Sequence, residues 1–193
     1  MPAAAADSRP GKTTVRRERT GPPFARAFPL FRPQPALIRR ISMTRSQTRI
    51  LAVASGGGHW VQLLRLRPAF EQHQVTYMTT SAAYARDVGT GLVTVTDANL
   101  KEKSRLARMF LQVFLHIVRL RPNVVISTGA APGFAAILFG RLVGARTIWI
   151  DSIANSEKLS VSGRFARHFA NLWLTQWPHL ARPEGPEYWG GVL

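Results

Sequence analysis

The 193-residue chain contains no cysteine, which excludes disulfides, thiolate zinc sites and cysteine nucleophiles. It also lacks any run of about 18 apolar residues, so no transmembrane helix is expected. Acids are scarce: ten Asp and Glu stand against 26 Lys and Arg, a net charge of +16. That surplus favours anionic partners such as nucleic acid, acidic headgroups or phosphorylated substrates. No DxD triplet occurs, and the histidines other than His59 (His73, His116, His168 and His179) lack metal-ligand spacing, so no metal site is expected. With 46% hydrophobic residues, a buried core for one domain is nevertheless available.

The charge is uneven. Residues 1–48 carry ten Lys/Arg against two acids, so half of the excess lies in the first quarter of the chain. This segment mixes arginine, proline and small residues, without an apolar secretory core. Such a composition buries too little surface to offset ordering, and it reads as a disordered tail preceding a folded domain at 49–193. It is either an arginine-rich targeting or nucleic-acid arm, or a segment upstream of a true start at Met43. The second reading is favoured.

From Arg49 short apolar runs alternate with helical patterns. Strands are predicted at 50–55, 74–80, 92–96, 123–128, 146–151 and, as the last, 172–176. Helices are predicted at 59–70, 104–120, 134–143 and 160–170. This alternation implies right-handed βαβ units, hence an α/β, Rossmann-like parallel sheet with helices on both faces. Ligands of such sheets bind beyond the C-terminal strand ends. Those ends carry Ser55-Gly56-Gly57-Gly58-His59, Ser127-Thr128-Gly129 and Asp151-Ser152.

Glycines between a strand and a helix admit a ligand to the backbone, and the helix N-terminus offers free N–H groups to phosphate. The first loop is not a P-loop, because no GKS or GKT follows. It is not GxGxxG either: Val61 stands at the third glycine position, and Thr79 and Thr80 stand where a ribose-binding acid would be. A tight turn with no ligand is the alternative. A neutral His59 at the helix start suits a hydrogen bond to phosphate or general-base work; otherwise it only anchors the neighbouring loop. The second loop, STGAAPG, repeats the logic of the first, and two such loops at neighbouring strand ends suggest one shared anionic ligand. Asp151 reads as a sugar-binding or proton-accepting carboxylate, or equally as a loop-anchoring N-cap.

The helix SRLARMFLQVFLHIVRL is apolar apart from a stripe of Arg105, Arg108, Gln112, His116 and Arg119. It is either a core helix with one solvated edge or a peripheral membrane helix. In the latter, Arg105 and Arg108 would meet anionic lipid while Met109, Phe110 and Phe114 enter the acyl boundary.

In order along the chain, SGGGH, PNVVISTGAAPGF, TIWIDS, LSVSGRFARHFANLWLTQWPHL and YWGGVL together resemble the acceptor-side subunit of two-chain UDP-sugar glycosyltransferases. That family serves dolichol-linked chitobiose synthesis in eukaryotes and capsule or exopolysaccharide assembly in bacteria. The resemblance spans roughly Arg49 to Leu193. It implies the N-terminal half of a GT-B glycosyltransferase, binding a lipid-linked acceptor at the cytoplasmic face of the cell membrane. No cofactor is then bound by this chain; a separate small catalytic subunit supplies the UDP-sugar, and neither chain turns over alone. Ser55, Gly56, Gly57, Gly58 and His59, with Ser127, Thr128 and Gly129, would hold the acceptor diphosphate. His59 and Asp151 would be the catalytic candidates. Tyr188, Trp189, Val192 and Leu193 would hold the partner. The family commonly carries glutamate where Asp151 stands, and its eukaryotic members have an N-terminal anchor, so a peripheral bacterial member is expected.

Two other classes stay open. A stand-alone nucleotide-binding Rossmann enzyme would be stabilised by NAD(P). A basic nucleic-acid-binding protein would show salt-steep binding that disappears on deleting residues 1–42.

Overall fold

A computed structural model describes residues 47–99 and 101–192. The Arg/Pro-rich segment up to residue 46, Met43 within it, and Leu193 lie outside the described residues.

Strand β1 (Arg49–Val53) is buried from its second residue onward. A strand covered on both faces needs an uninterrupted apolar run, and ILAV supplies one. Strands β4 (Val124–Ser127) and β5 (Arg146–Ile150) are also mostly buried, each carrying one buried hydroxyl residue, Ser127 and Thr147, among apolar ones. With β2 (Gln74–Thr79), β3 (Leu92–Thr94), β6 (Leu172–Thr175) and β7 (Glu187–Tyr188) they form one sheet in the order β3-β2-β1-β4-β5-β6-β7. Every neighbouring pair is parallel. The chain winds outward from β1 to β3, then returns to place β4 on β1's other side. The strand order therefore reverses between β1 and β4, the point where an open α/β sheet forms its ligand crevice.

Alternating side chains divide the interior into two layers. Leu51, Val53, Val125 and Trp149 pack with Met109, Val113 and Ile117 of α3 (Lys103–Leu120). The helices α4 (Ala130–Leu142) and α5 (Val161–Ala166) lie on this same face. Ile50, Ala52, Ile126 and Ile150 pack on the other face with Trp60 and Leu63 of α1 (Gly58–Arg65). The short helix α2 (Ala85–Val88) adds Val88 to that layer. Gly140 is required where α4 meets the sheet, because a Cβ there would stand 2.7 Å from Val125 Cγ2.

Besides shifts of one or two residues at strand ends and the unexpected short α2, four differences from expectation stand out. The first helix ends at Arg65, and a 3₁₀ turn at Arg67–Phe70 follows, because Pro68 cannot continue the α-helical ladder. The segment GAAPG is the first turn of α4 rather than a loop before it; Pro132 is tolerated there because first-turn N–H groups have no helical partner. Helix α5 is six residues long and ends before His168. Strand β7 lies beyond the expected last strand, too short for a periodic signal.

Candidate functional site

Strands β1 and β4 are in register, with Val53 opposite Ser127. Each ends in a turn that only unusual backbone angles permit. Gly57 adopts φ 64° before α1 begins, and Gly129 adopts φ 139° before α4 begins. Ala130 follows at φ 64°, a left-handed value uncommon for a residue with a side chain. Neither α1 nor α4 has a side-chain cap, and neither has an acid in its first turn. Two helix N-termini thus reach the crevice with first-turn N–H groups available to an anion.

His59 and Thr128 tie the loops together. His59 Nδ1 lies 3.0 Å from the Thr128 carbonyl oxygen, and Thr128 Oγ1 donates to the His59 carbonyl at 2.8 Å. A carbonyl only accepts, so Nδ1 carries the proton, and in the neutral ring Nε2 is a lone-pair acceptor. No described residue bonds Nε2. The ring lies against the backbone of Gly129, where a Cβ would stand 2.6 Å from Cε1. The loop-anchoring role of His59 is therefore real, and it fixes the tautomer that leaves the other nitrogen basic.

Ser127 and Thr128 occupy the expected loop, but their side chains are fully buried. Ser127 Oγ accepts from the Gly129 N–H at 3.1 Å, and a Cβ on Gly133 would collide with it. Both hydroxyls close the loop from within, which corrects their assignment as ligand-facing groups. Gly56, Gly57 and Gly58 do line the first turn, with Gly57 and Gly58 exposed. The Ser55 carbonyl accepts from Thr79 Oγ1 at 3.4 Å.

Sequence reasoning missed Tyr84. Its hydroxyl accepts from the Gly57 N–H at 2.8 Å and lies 3.0 Å from where a Gly56 Cβ would be. Its ring packs against Trp60, tilted by 30° with centroids 4.9 Å apart, and Trp60 Nε1 donates to Asp87 at 2.7 Å. Tyr84 follows a strand end 27 residues downstream, so only the β1–β2 register brings it to the loop.

Asp151 is corrected as a catalytic candidate. It is 1% exposed, and both carboxylate oxygens are engaged. One accepts from the Ser160 N–H at 2.9 Å, the other from Ser160 Oγ at 2.6 Å and Trp149 Nε1 at 3.4 Å. Ser160 in turn caps α5 by accepting from the Gly163 N–H at 2.8 Å. Asp151 thus anchors the start of α5 to the end of β5, as its alternative reading held.

Residues 36–193 match the protein family described as Oligosaccharide biosynthesis protein Alg14 like. The chain belongs to the Alg14 family. It is 31% identical to the UDP-N-acetylglucosamine transferase subunit ALG14 of Eremothecium gossypii over 121 residues, 56% of this chain and 51% of that protein. It is 33% identical to the subunit of the same name from Yarrowia lipolytica over 79 residues, 38% of this chain and 37% of that one. The chain thus spans about half, or less, of the length of these curated relatives. Both are fungal, so the expectation of a bacterial member finds no support in them. Among solved structures, Acinetobacter baumannii MurG is 13% identical and superposes with a TM-score of 0.61, covering 72% of this chain and 47% of MurG. That likeness establishes the fold, half of a GT-B architecture.

In this Alg14-family chain, the outer side of α3 differs from expectation. Met109 is fully buried against the sheet because it shares a face with Val113 and Ile117, which corrects its assignment as a membrane contact. Phe110 is half-buried beside Phe134 and Phe139. The exposed apolar residues are Leu111, Phe114, Leu115 and Val118, with Leu142 and Val143 exposed at the end of α4. Arg105 and Arg108 are exposed on α3 as expected, Arg105 pairing with Glu102 at 3.2 Å. Burial holds His116 below the ordinary histidine range, and the nearby Arg119 adds to the effect. No helix among the described residues is long and apolar enough to cross a membrane.

At the C-terminal end, Tyr188 and Trp189 are exposed, and Trp189 Nε1 donates to Glu187 at 2.9 Å. Val192 is held at both polar atoms: its N–H donates to Gln176 Oε1 at 2.8 Å, and its carbonyl accepts from Arg65 at 3.1 Å. Leu193, the fourth residue assigned to a partner, lies outside the described residues.

Proposed function

We propose that this chain is the acceptor-binding subunit of a two-chain, UDP-sugar-dependent glycosyltransferase acting on a lipid-linked diphosphate saccharide. The observation that carries the reading is the pair of uncapped helix N-termini at the β1/β4 switch point, joined by His59 and Thr128. Two partial positive ends without a nearby acid suit a diphosphate, whose oxygens take up the first-turn N–H groups of α1 and α4. Kinship with chains named UDP-N-acetylglucosamine transferase subunits supports N-acetylglucosamine as the sugar. The UDP-sugar arrives on a separate small subunit, for which exposed Tyr188 and Trp189 are the contact surface.

In transfer, an acceptor hydroxyl oxygen bonds to the anomeric carbon as the bond to UDP breaks, and UDP leaves on the partner. His59 Nε2 takes the hydroxyl proton. The apolar stripe Leu111, Phe114, Leu115 and Val118, flanked by Arg105 and Arg108, rests on the cytoplasmic face of an anionic membrane.

The test is to co-express the chain with a small UDP-sugar-binding protein encoded beside it and incubate membranes with labelled UDP-sugars. Label entering the lipid fraction only when both chains are present supports the reading. A stably folded chain that captures no partner and gives no transfer sinks it.

A further inference from the structure

Gly57 presents its backbone N–H at an exposed turn, where water can serve as its partner. Burial does not demand a protein acceptor there, yet the Tyr84 hydroxyl takes that bond at 2.8 Å. The preceding residue makes room for it: a Cβ on Gly56 would stand 3.0 Å from Tyr84 Oη. A Cβ on Gly57 or Gly58 would meet nothing within 4 Å. The hydroxyl thus borders open space at the start of α1.

The ring that carries this hydroxyl is fixed. Tyr84 closes a 3₁₀ turn (Ala82–Tyr84) beyond β2, capped by Ser81 Oγ, which accepts from the Ala83 N–H at 3.3 Å. The ring packs on Trp60, which is 1% exposed and whose Nε1 is held by Asp87. Arg67 in turn donates to the Asp87 carbonyl at 3.0 Å. A phenol both accepts and donates. Its oxygen is engaged by Gly57, while no described residue accepts its proton. An N–H bonded to that oxygen polarises the O–H and strengthens the bond it donates. This polarised proton stands beside the uncapped N-terminus of α1.

We infer that Tyr84 is a ligand-binding residue that donates its hydroxyl hydrogen bond to a phosphate oxygen of the acceptor's diphosphate. The inference rests on the function proposed above and adds to the cradle a third wall, supplied by the segment after β2. His59 joins the first glycine loop to the β4 side, and Tyr84 joins it to the β2 side. The anion is then bracketed from both neighbours of β1.

Calorimetry of the full chain with inorganic diphosphate, read beside urea unfolding, tests this. Tyr84→Phe keeps the ring on Trp60 and removes the hydroxyl. It should weaken diphosphate binding at least about tenfold, the usual loss for a hydrogen bond to a charged group, with little change in the urea midpoint. A second substitution separates donation from loop support. Replacing Tyr84 by a trifluorinated tyrosine keeps an oxygen for the Gly57 N–H and gives a phenol that ionises near neutral pH, followed by fluorine NMR. Saturating inorganic diphosphate should raise that ionisation midpoint by about one pH unit, because an about tenfold preference for the protonated phenol equals that shift by linkage. Weaker binding by Tyr84→Phe without that rise overturns donation and leaves Tyr84 a loop support. Unchanged affinity in Tyr84→Phe overturns its place in the site while the cradle stands. Should Tyr84→Phe fail to fold, the fluorine midpoint alone decides. Absence of diphosphate binding by the wild-type chain overturns the proposed function, and this inference falls with it.

Discussion

His59 and Thr128, 69 residues apart in sequence, hydrogen-bond each other twice, side chain to carbonyl in each direction. The exchange fixes the spacing of two helix N-termini and settles which imidazole nitrogen carries the proton. A residue placed this way has two separable roles, holding the loops and offering Nε2.

Asparagine can separate them. In His59→Asn the side-chain amide N–H can still reach the Thr128 carbonyl, but no basic nitrogen remains. Transfer by the assembled enzyme should fall about 10²- to 10⁴-fold, the usual range for losing a general base. The urea midpoint of the chain should shift little. A transfer rate within about threefold of wild type would remove His59 from the chemistry.

Gly129→Ala acts on the same contact from the other side. The backbone there is at φ 139°, and the new Cβ would lie 2.6 Å from His59 Cε1. Strain plus displacement of the ring should cost about 1–3 kcal/mol and weaken diphosphate binding. Thermal unfolding and calorimetry with inorganic diphosphate measure both effects.

Asp151→Ala distinguishes an anchor from a catalyst. Losing the acceptor of three hydrogen bonds inside the fold should destabilise the chain by about 2–4 kcal/mol, read from urea unfolding. Activity per folded molecule should stay close to wild type at low temperature. Normal stability with abolished transfer would reverse the assignment.

His116 supplies a pH dependence. Its folded-state affinity for protons lies below that of the unfolded chain, first through burial and then through Arg119. The unfolded state therefore binds more protons as pH falls through the ordinary histidine value of 6.5, and stability declines toward acid. His116→Gln should flatten the fall in urea midpoint between about pH 7.5 and 5.5. An unchanged slope would assign the acid sensitivity elsewhere.

The buried face of α3 and its outer face should respond oppositely. Met109→Ala opens a cavity at a fully buried position and should cost about 2–4 kcal/mol. Leu111→Ser with Leu115→Ser should leave the fold intact and reduce sedimentation with anionic vesicles. Unchanged sedimentation would remove this face from membrane binding.

The local pattern by itself determined much of this protein. Apolar runs such as ILAV and VVI specify buried parallel strands, because no polar residue interrupts either face within them. Glycines two or three residues beyond the ends of β1 and β4 mark the turns at which a ligand can approach. The resemblance read from five ordered motifs agrees with the family match over 36–193. Tertiary structure alone decided what the polar side chains do. Ser127, Thr128 and Asp151 look the same in sequence whether they face a ligand or close a turn; only the packing of α4 and α5 on the sheet buries them. Tyr84 and Gly57 are brought together by strand register, and Met109 is turned inward by the helix's azimuth on the sheet. Those outcomes depend on which distant residues share a neighbourhood, and composition and spacing along one chain carry no term for that.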